Sequence, residues 1–447
     1  MVTGWCARRG IGFPPMGGVG GTRSSSSRMD CAVKMPSLPT HAMIRAARRV
    51  VLSCLGTERT TETLTQTESA STAAVGQAEL AGDPQPTPEQ QSEPEKPSEP
   101  KPERETAVSS SSPCDLSVGS WVANPSRRHQ YTGKSCKSLS RSLNCQRNGR
   151  TNMQYLQYEW RSPGCRIERF DASAFLERMR NKVFLVVGDS VSMNFISALQ
   201  CLIETATPTK SRDGPLFPGG PRTHAVVAPH FNATFLRHAS SFLVRSIPSG
   251  DKTTASTWTV HLDQVHPEWS PVLQYTDYVV FGTGVWYTIA DLKKRHYMVD
   301  NREQPSLNRL ATMQTALHTV TRFTHSINYT GMPILLTYSP VHANVRINSS
   351  APELSCSSYM QPLGPDALQG AQWATDALEA RNAQIEVVRQ SKEFKVVDVT
   401  ALSVLRPDGH LQNHCENPKA VDCMHWCLPG ILDTWADIIY SHVMEFM

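Results

Sequence analysis

The chain has 447 residues, with 44 Lys+Arg against 40 Asp+Glu, a formal net charge of +4, and 39% hydrophobic residues. So even a balance, with no Lys/Arg cluster interleaved with aromatics in the apolar-rich part, argues against a nucleic-acid-binding protein. No run reaches the ~20 apolar residues of a membrane span; the nearest, Val50–Leu55, is short and flanked by arginine.

In chain order, residues 1–56 carry Arg8, Arg9, Arg23, Arg28, Lys34, Arg45, Arg48 and Arg49 against one acid, Asp30. This Arg- and Ser-rich head has the cast of a transit peptide. Residues 57–113 are rich in Thr, Ser, Pro and Glu, as in Pro94–Pro100, and hold too few apolar groups to offset chain entropy. A disordered stem is expected there. From Cys114 onward the composition turns globular.

Four cysteines, Cys114, Cys136, Cys145 and Cys165, crowd the stretch 114–172, which is expected to be a Cys-rich module. Clustered cysteines in a loop-rich region form a disulfide framework in an oxidising compartment. Sequons at Asn232, Asn328 and Asn348 point weakly the same way.

Residues 173–447 alternate strands and helices. Phe184–Val187 predicts a buried strand and Val191–Ile203 a helix. Ser241–Arg245, Trp258–Leu262 and Tyr278–Phe281 predict strands. Leu307–Ile327 predicts a helix, Pro333–Tyr338 a strand, Leu368–Arg389 a helix, Phe394–Val399 a strand and Leu432–Val443 a closing helix. Continuous apolar strands separated by long helices predict an α/β class chain, a parallel sheet covered on both faces. Its active site should lie beyond the carboxyl ends of the strands.

Two motifs carry chemistry. Gly188-Asp189-Ser190 ends the first apolar strand and opens a helix, where glycine permits the tight turn and free N–H groups face an anion. On its own, this motif is as well explained by Asp189 or Ser190 capping the helix. Asp422 lies three residues before His425, so its carboxylate can orient the imidazole and leave the other ring nitrogen for the serine. Ser190, His425 and Asp422 are therefore the candidate nucleophile, base and orienting acid. A zinc site among His410, His414, Cys415, Cys423, His425 and Cys427 competes, but the spacing lacks a C-x-x-C pair and no metal is expected.

Further blocks extend these motifs: Cys114-Asp115-Leu116, Asn148-Gly149-Arg150, Arg169-Phe170-Asp171, Ser339-Pro340…His342, Asp408-Gly409-His410 and Asp422–Gly430. In them the chain resembles the trichome birefringence-like family of plant polysaccharide O-acetyltransferases, related to the SGNH/GDSL esterases. The resemblance implies a three-layer α/β/α SGNH-like core, with Ser190, His425 and Asp422 as a triad. It implies acetyl transfer to a cell-wall polysaccharide, typically xylan, in the Golgi lumen. The acetyl donor would be a co-substrate and no cofactor would be bound. It also implies the disulfides Cys114–Cys165, Cys136–Cys201, Cys145–Cys427 and Cys356–Cys423, with Cys415 unpaired.

The chain departs from the family pattern at Met193, where an Arg is usual, and at Gly282 and Val285, where Asn and His are usual. The N-terminal membrane anchor usual in the family is not found. Gly188, Asp189, Asn194, Gly282 and Gly284 are candidates for the oxyanion or substrate site, and Gly282→Asn should raise the rate if a side-chain donor is missing. The alternatives are an acetyl hydrolase using the same three residues, and a non-catalytic carbohydrate-binding protein with Trp286, Tyr287 and Trp373 along a groove.

Overall fold

The apolar run at Phe184–Val187 forms strand β1 (Val183–Gly188), buried at every residue, and it is the middle strand of a seven-stranded sheet. The computed structural model describes residues 115–445 except 218–219, 250–256, 290–294, 347–351, 370, 392 and 418. The expectations for the basic head, the stem, Cys114 and Asn348 fall outside the described residues.

The other strands of this sheet, in chain order, are β2 (Lys210–Pro215), β3 (Arg222–Ala228), β4 (Ala233–Ala239), β5 (Tyr278–Gly282), β6 (Met332–Leu336) and β7 (Lys395–Val397). Their spatial order is β7-β6-β5-β1-β4-β3-β2. The run from β7 to β4 is parallel, while β3 and β2 add antiparallel at one edge. The predicted parallel sheet is therefore present, with an antiparallel edge that was not foreseen. Lys-Ser-Arg-Asp-Gly-Pro in β2 is exposed at every residue but the half-buried Gly214, so it carries no apolar signal.

Helices cover both faces, as a parallel sheet requires. On one side Phe184, Phe235 and Tyr278 sit side by side in register and pack beneath Phe175 and Tyr440. Tyr440 belongs to helix α4 (Ile431–Glu445), which packs with α1 (Ser190–Ile203). On the other side Phe281 meets Trp269, which in turn meets Phe323 of α2 (Arg309–Ser326). Helix α3 (Gln372–Arg389) lies alongside α2, where Gln314 donates to the Ala383 carbonyl. The strands predicted at Ser241–Arg245 and Trp258–Leu262 belong elsewhere. They become Val244–Ser249 and Thr257–Val265 of a separate four-stranded sheet, and the first of them starts later than predicted.

Strands Ser120–Ala123 and Tyr158–Arg161 of the Cys-rich segment pair antiparallel. That segment is fastened to α4 and its approach: Tyr131 Oη donates to Asp433 at 2.8 Å, and the Phe170 N–H to Asp437 at 2.8 Å. Three of the expected disulfides are present: Cys136–Cys201, Cys145–Cys427 and Cys356–Cys423. Cys165 is also disulfide-bonded. So is Cys415, which corrects the expectation that it is unpaired; it is buried beside Cys145, Cys427 and Tyr155.

Cys145 and Cys427 are separated by 282 residues. In the chain-entropy description, closing so long a loop stabilises the fold by about 5 kcal/mol. Non-reducing peptide mapping should recover all three cross-linked pairs, and a Cys145→Ser/Cys427→Ser variant should melt well below the wild type. Free thiols at these positions in the native protein would contradict the fold.

Candidate active site

The turn between β1 and α1 places Ser190. Asp189 caps α1, its Oδ1 accepting from the N–H groups of Val191 at 3.1 Å and Ser192 at 3.2 Å. Capping, the plain reading of this motif, is thus real, and it is Asp189 that caps. Ser190 is left partly exposed at the first turn of the helix, and its own N–H makes no hydrogen bond among the described residues. Gly188 is required by close approach: a Cβ there would strike the Gly282 carbonyl oxygen and the Ser192 side chain.

The second half of the site comes from strand Asp422–Trp426, buried along its whole length. Asp422 Oδ1 accepts from the N–H groups of Met424 at 3.0 Å and His425 at 2.9 Å, folding the chain back on itself. The imidazole then faces its own carboxylate: His425 Nδ1 lies 2.8 Å from Asp422 Oδ2. His425 Nε2 lies 2.8 Å from Ser190 Oγ. The three residues picked out in the sequence are therefore joined in one hydrogen-bonded line.

Electrostatics suit that line. Burial works against the ionised Asp422, but His425 beside it and the two N–H donors outweigh this and hold the carboxyl well below its usual range. Burial likewise opposes a charged His425; Asp422, and to a smaller extent Asp189, overcome it and raise the imidazole pKa. Burial pushes Asp189 up to about 6, against the pull of its N–H donors and of His425.

Asn194, one helical turn beyond Ser190, is buried, and its Oδ1 accepts from the Trp426 N–H at 2.7 Å. It ties the serine helix to the residue after His425, a positioning task that the oxyanion expectation did not contain. Behind His425 lies a second pair. His410 Nδ1 is 3.0 Å from the His425 carbonyl, His410 Nε2 is 2.6 Å from His342 Nδ1, and the His410 ring stacks on Trp426. Burial keeps His342 at about 4 and His410 well below its ordinary value, so both rings support the site as neutral groups.

The family model PC-Esterase, described as a GDSL/SGNH-like acyl-esterase family found in Pmr5 and Cas1p, matches residues 167–442. The chain belongs to the PC-esterase family. The PMR5 N-terminal domain matches residues 112–166. Among its relatives, protein trichome birefringence-like 25 of Arabidopsis thaliana is 27% identical over 377 residues, covering 77% of this chain and 80% of the relative. Xyloglucan O-acetyltransferase 3 of Populus trichocarpa is 29% identical over 360 residues, covering 73% and 85%. Xylan O-acetyltransferase 6 of Oryza sativa subsp. japonica is 28% identical over 364 residues, covering 76% and 64%. The recognition made on the sequence blocks and the SGNH-like fold class both hold.

Where the PC-esterase chain departs from the family pattern, the structure gives a local reason. Gly282 ends β5, and a Cβ there would run into Ser192 Oγ, which donates to the Gly282 carbonyl at 3.0 Å. Gly284 has φ 148° and lies against Tyr338. Val285 opens a short helix after this turn, and its backbone adds a small pull that lowers the Asp189 carboxyl. Gln384, which carried no signal in the sequence, fixes this loop: its Nε2 donates to the Thr283 carbonyl and its Oε1 accepts from the Tyr338 N–H, both at 2.7 Å. Met193 is core.

Two further sequence expectations meet the structure here. Cys423 and Cys427 are held in disulfides, which removes the thiolates that a zinc site around His425 would use. Of the aromatics suggested for a groove, Tyr287 is buried with its Oη on the Phe242 carbonyl, Trp286 packs on Phe242 and Trp258, and Trp373 donates to the Arg346 carbonyl. Among the sequons, Asn328 is exposed and Asn232 is half-buried, its Nδ2 donating to Asn181.

The Ser192 contact reverses the expectation for Gly282→Asn. That change alone should lower both melting temperature and rate, since Ser192 is held by Gly282 and Asp189 and cannot yield freely. Adding Ser192→Gly should recover part of the stability. A single variant as stable and faster than wild type would show that the β5–α1 packing is looser than described.

Proposed function

We propose that this protein is an O-acetyltransferase that moves acetyl through a Ser190 ester to hydroxyls of a plant cell-wall polysaccharide. The observation that carries the reading is the line Asp422–His425–Ser190, with both links at 2.8 Å. The relatives named as xyloglucan and xylan O-acetyltransferases support the acyl group and the class of acceptor; xylan is the acceptor proposed.

In this mechanism Ser190 Oγ attacks the acetyl carbonyl of the donor while His425 Nε2 takes the hydroxyl proton. Asp422 fixes the tautomer and stabilises the imidazolium. The oxyanion forms at the start of α1, where the free Ser190 N–H and the positive end of the helix meet it. Collapse expels the donor's leaving group, which takes the proton from His425. A sugar hydroxyl then attacks the acetyl-serine, giving its proton to His425, and the second collapse returns that proton to Ser190 Oγ. The donor is a co-substrate and the reaction as proposed draws on no resident cofactor.

The disulfides fit an oxidising lumen, and the Golgi is the compartment proposed. No helix among the described residues is long and apolar enough to cross a membrane.

Purified protein given an activated acetyl donor should acetylate xylo-oligosaccharide, with Ser190→Ala reducing the rate by at least 10³-fold while melting like wild type. Xyloglucan oligosaccharide in place of xylan tests the acceptor. Free acetate as the sole product would make the protein a hydrolase, and full activity in Ser190→Ala would remove the nucleophile.

His425 must be neutral to accept a proton, and its pKa is raised above the ordinary value. The rate should therefore fall as pH drops through an acid limb that lies above about 6.5. The same raised pKa stabilises the fold fully below about 6.5, and that contribution is lost as pH rises through the folded-state value. Asp422→Asn should move the limb to lower pH and reduce the rate. An unmoved limb would mean that another group titrates.

A further inference from the structure

The opposite face of the central sheet carries a group that the acyl-transfer site does not use. In register, Gly188 lies beside Ala239 and Val187 beside His238. Because successive residues of a strand point to opposite faces, His238 points away from the face at Gly188 and Gly282 that meets Ser192 of α1. It meets His266 and Glu268 instead, in the turn between Thr257–Val265 and the short helix Ser270–Leu273.

One ligand-type atom from each of His238, His266 and Glu268 lies within 4.8 Å of the other two. His238 is 6% exposed, yet its Nε2 is buried without a hydrogen-bond partner. That atom stands 3.4 Å from Glu268 Oε2. Two ligands bound to one tetrahedral zinc at about 2.0–2.1 Å stand about 3.3–3.5 Å apart. The His238–Glu268 separation fits two ligands of one ion, and the unpartnered nitrogen is the atom that would meet it.

We propose that His238, His266 and Glu268 bind a divalent transition-metal ion of the zinc class, on the face of the sheet opposite Ser190. Two imidazole nitrogens and one carboxylate oxygen form a donor set suited to zinc, with water completing the coordination. No spacing rule points to these three residues, because His238 is 28 residues from His266 and belongs to a strand that no apolar pattern announced.

The bound ion would clip the end of β4 to the turn that opens the Ser270–Leu273 helix. Its effect is on stability, so the test does not depend on acyl transfer. Untagged full-length protein, stripped with chelator, is titrated with zinc alone by calorimetry and by melting temperature. The expected result is one zinc per chain at micromolar or tighter affinity, with a rise in melting temperature that chelator reverses. Affinity should fall at least tenfold in His238→Gln and in His266→Gln. Glu268→Gln, at an exposed side chain, keeps the test valid if a histidine variant folds poorly, and it should lose the zinc-dependent rise. No binding at micromolar zinc, or binding undiminished in Glu268→Gln and His266→Gln, would overturn the proposal.

Discussion

The structure turns on one contact between segments far apart in sequence: Asn194 Oδ1 accepting the Trp426 N–H at 2.7 Å, one helical turn below the 2.8 Å approach of His425 to Ser190. A proton can move between His425 and Ser190 only if the Asp422–Trp426 strand docks in one register on the N-terminal turn of α1. A hydrogen bond inside a buried interface is short-ranged and directional, so it selects that register where apolar packing alone would tolerate a slide. Disulfides at Cys423 and Cys427 tie the same strand to Cys356 and Cys145 on either side of His425. The cross-links and the Asp422–His425–Ser190 geometry are therefore supplied by the same few residues.

The sheet serves that contact. β1 and β5 run side by side and end in glycines at 188 and 282, and the missing side chains let Ser192 reach across to the Gly282 carbonyl. Asp189 takes its N–H donors from Val191 and Ser192 on the helix, and the Val285 backbone beyond β5 adds a small pull of its own. Its carboxyl, buried and pushed up to about 6, is thereby part of the frame around the serine.

Much of this was legible in the sequence where the physics is local. A continuous apolar run into Gly-Asp-Ser announces a buried strand and a helix start, and Asp422 with His425 announces an orienting pair, because three residues of chain suffice to close that contact. Asn308 likewise caps α2 at the edge of the predicted helix, with Oδ1 accepting from the Ala311 N–H. What could not be read depends on packing between distant segments. β2 is polar, and β3 gains its place by adding antiparallel to β4. The cost of a side chain at Gly282 is set by Ser192, which no spacing rule connects to it. Gln384 braces the Thr283 loop from a helix about a hundred residues away.

The central claim is that acyl groups pass through Ser190. Rapid quenching of the enzyme with an activated acetyl ester, in the absence of sugar, followed by peptide mass spectrometry, tests it most directly. One added acetyl group is expected on the peptide containing Ser190, disappearing when xylo-oligosaccharide is supplied. Acetylated sugar formed while Ser190 remains unmodified, or a stable acetyl group on another residue, would contradict it.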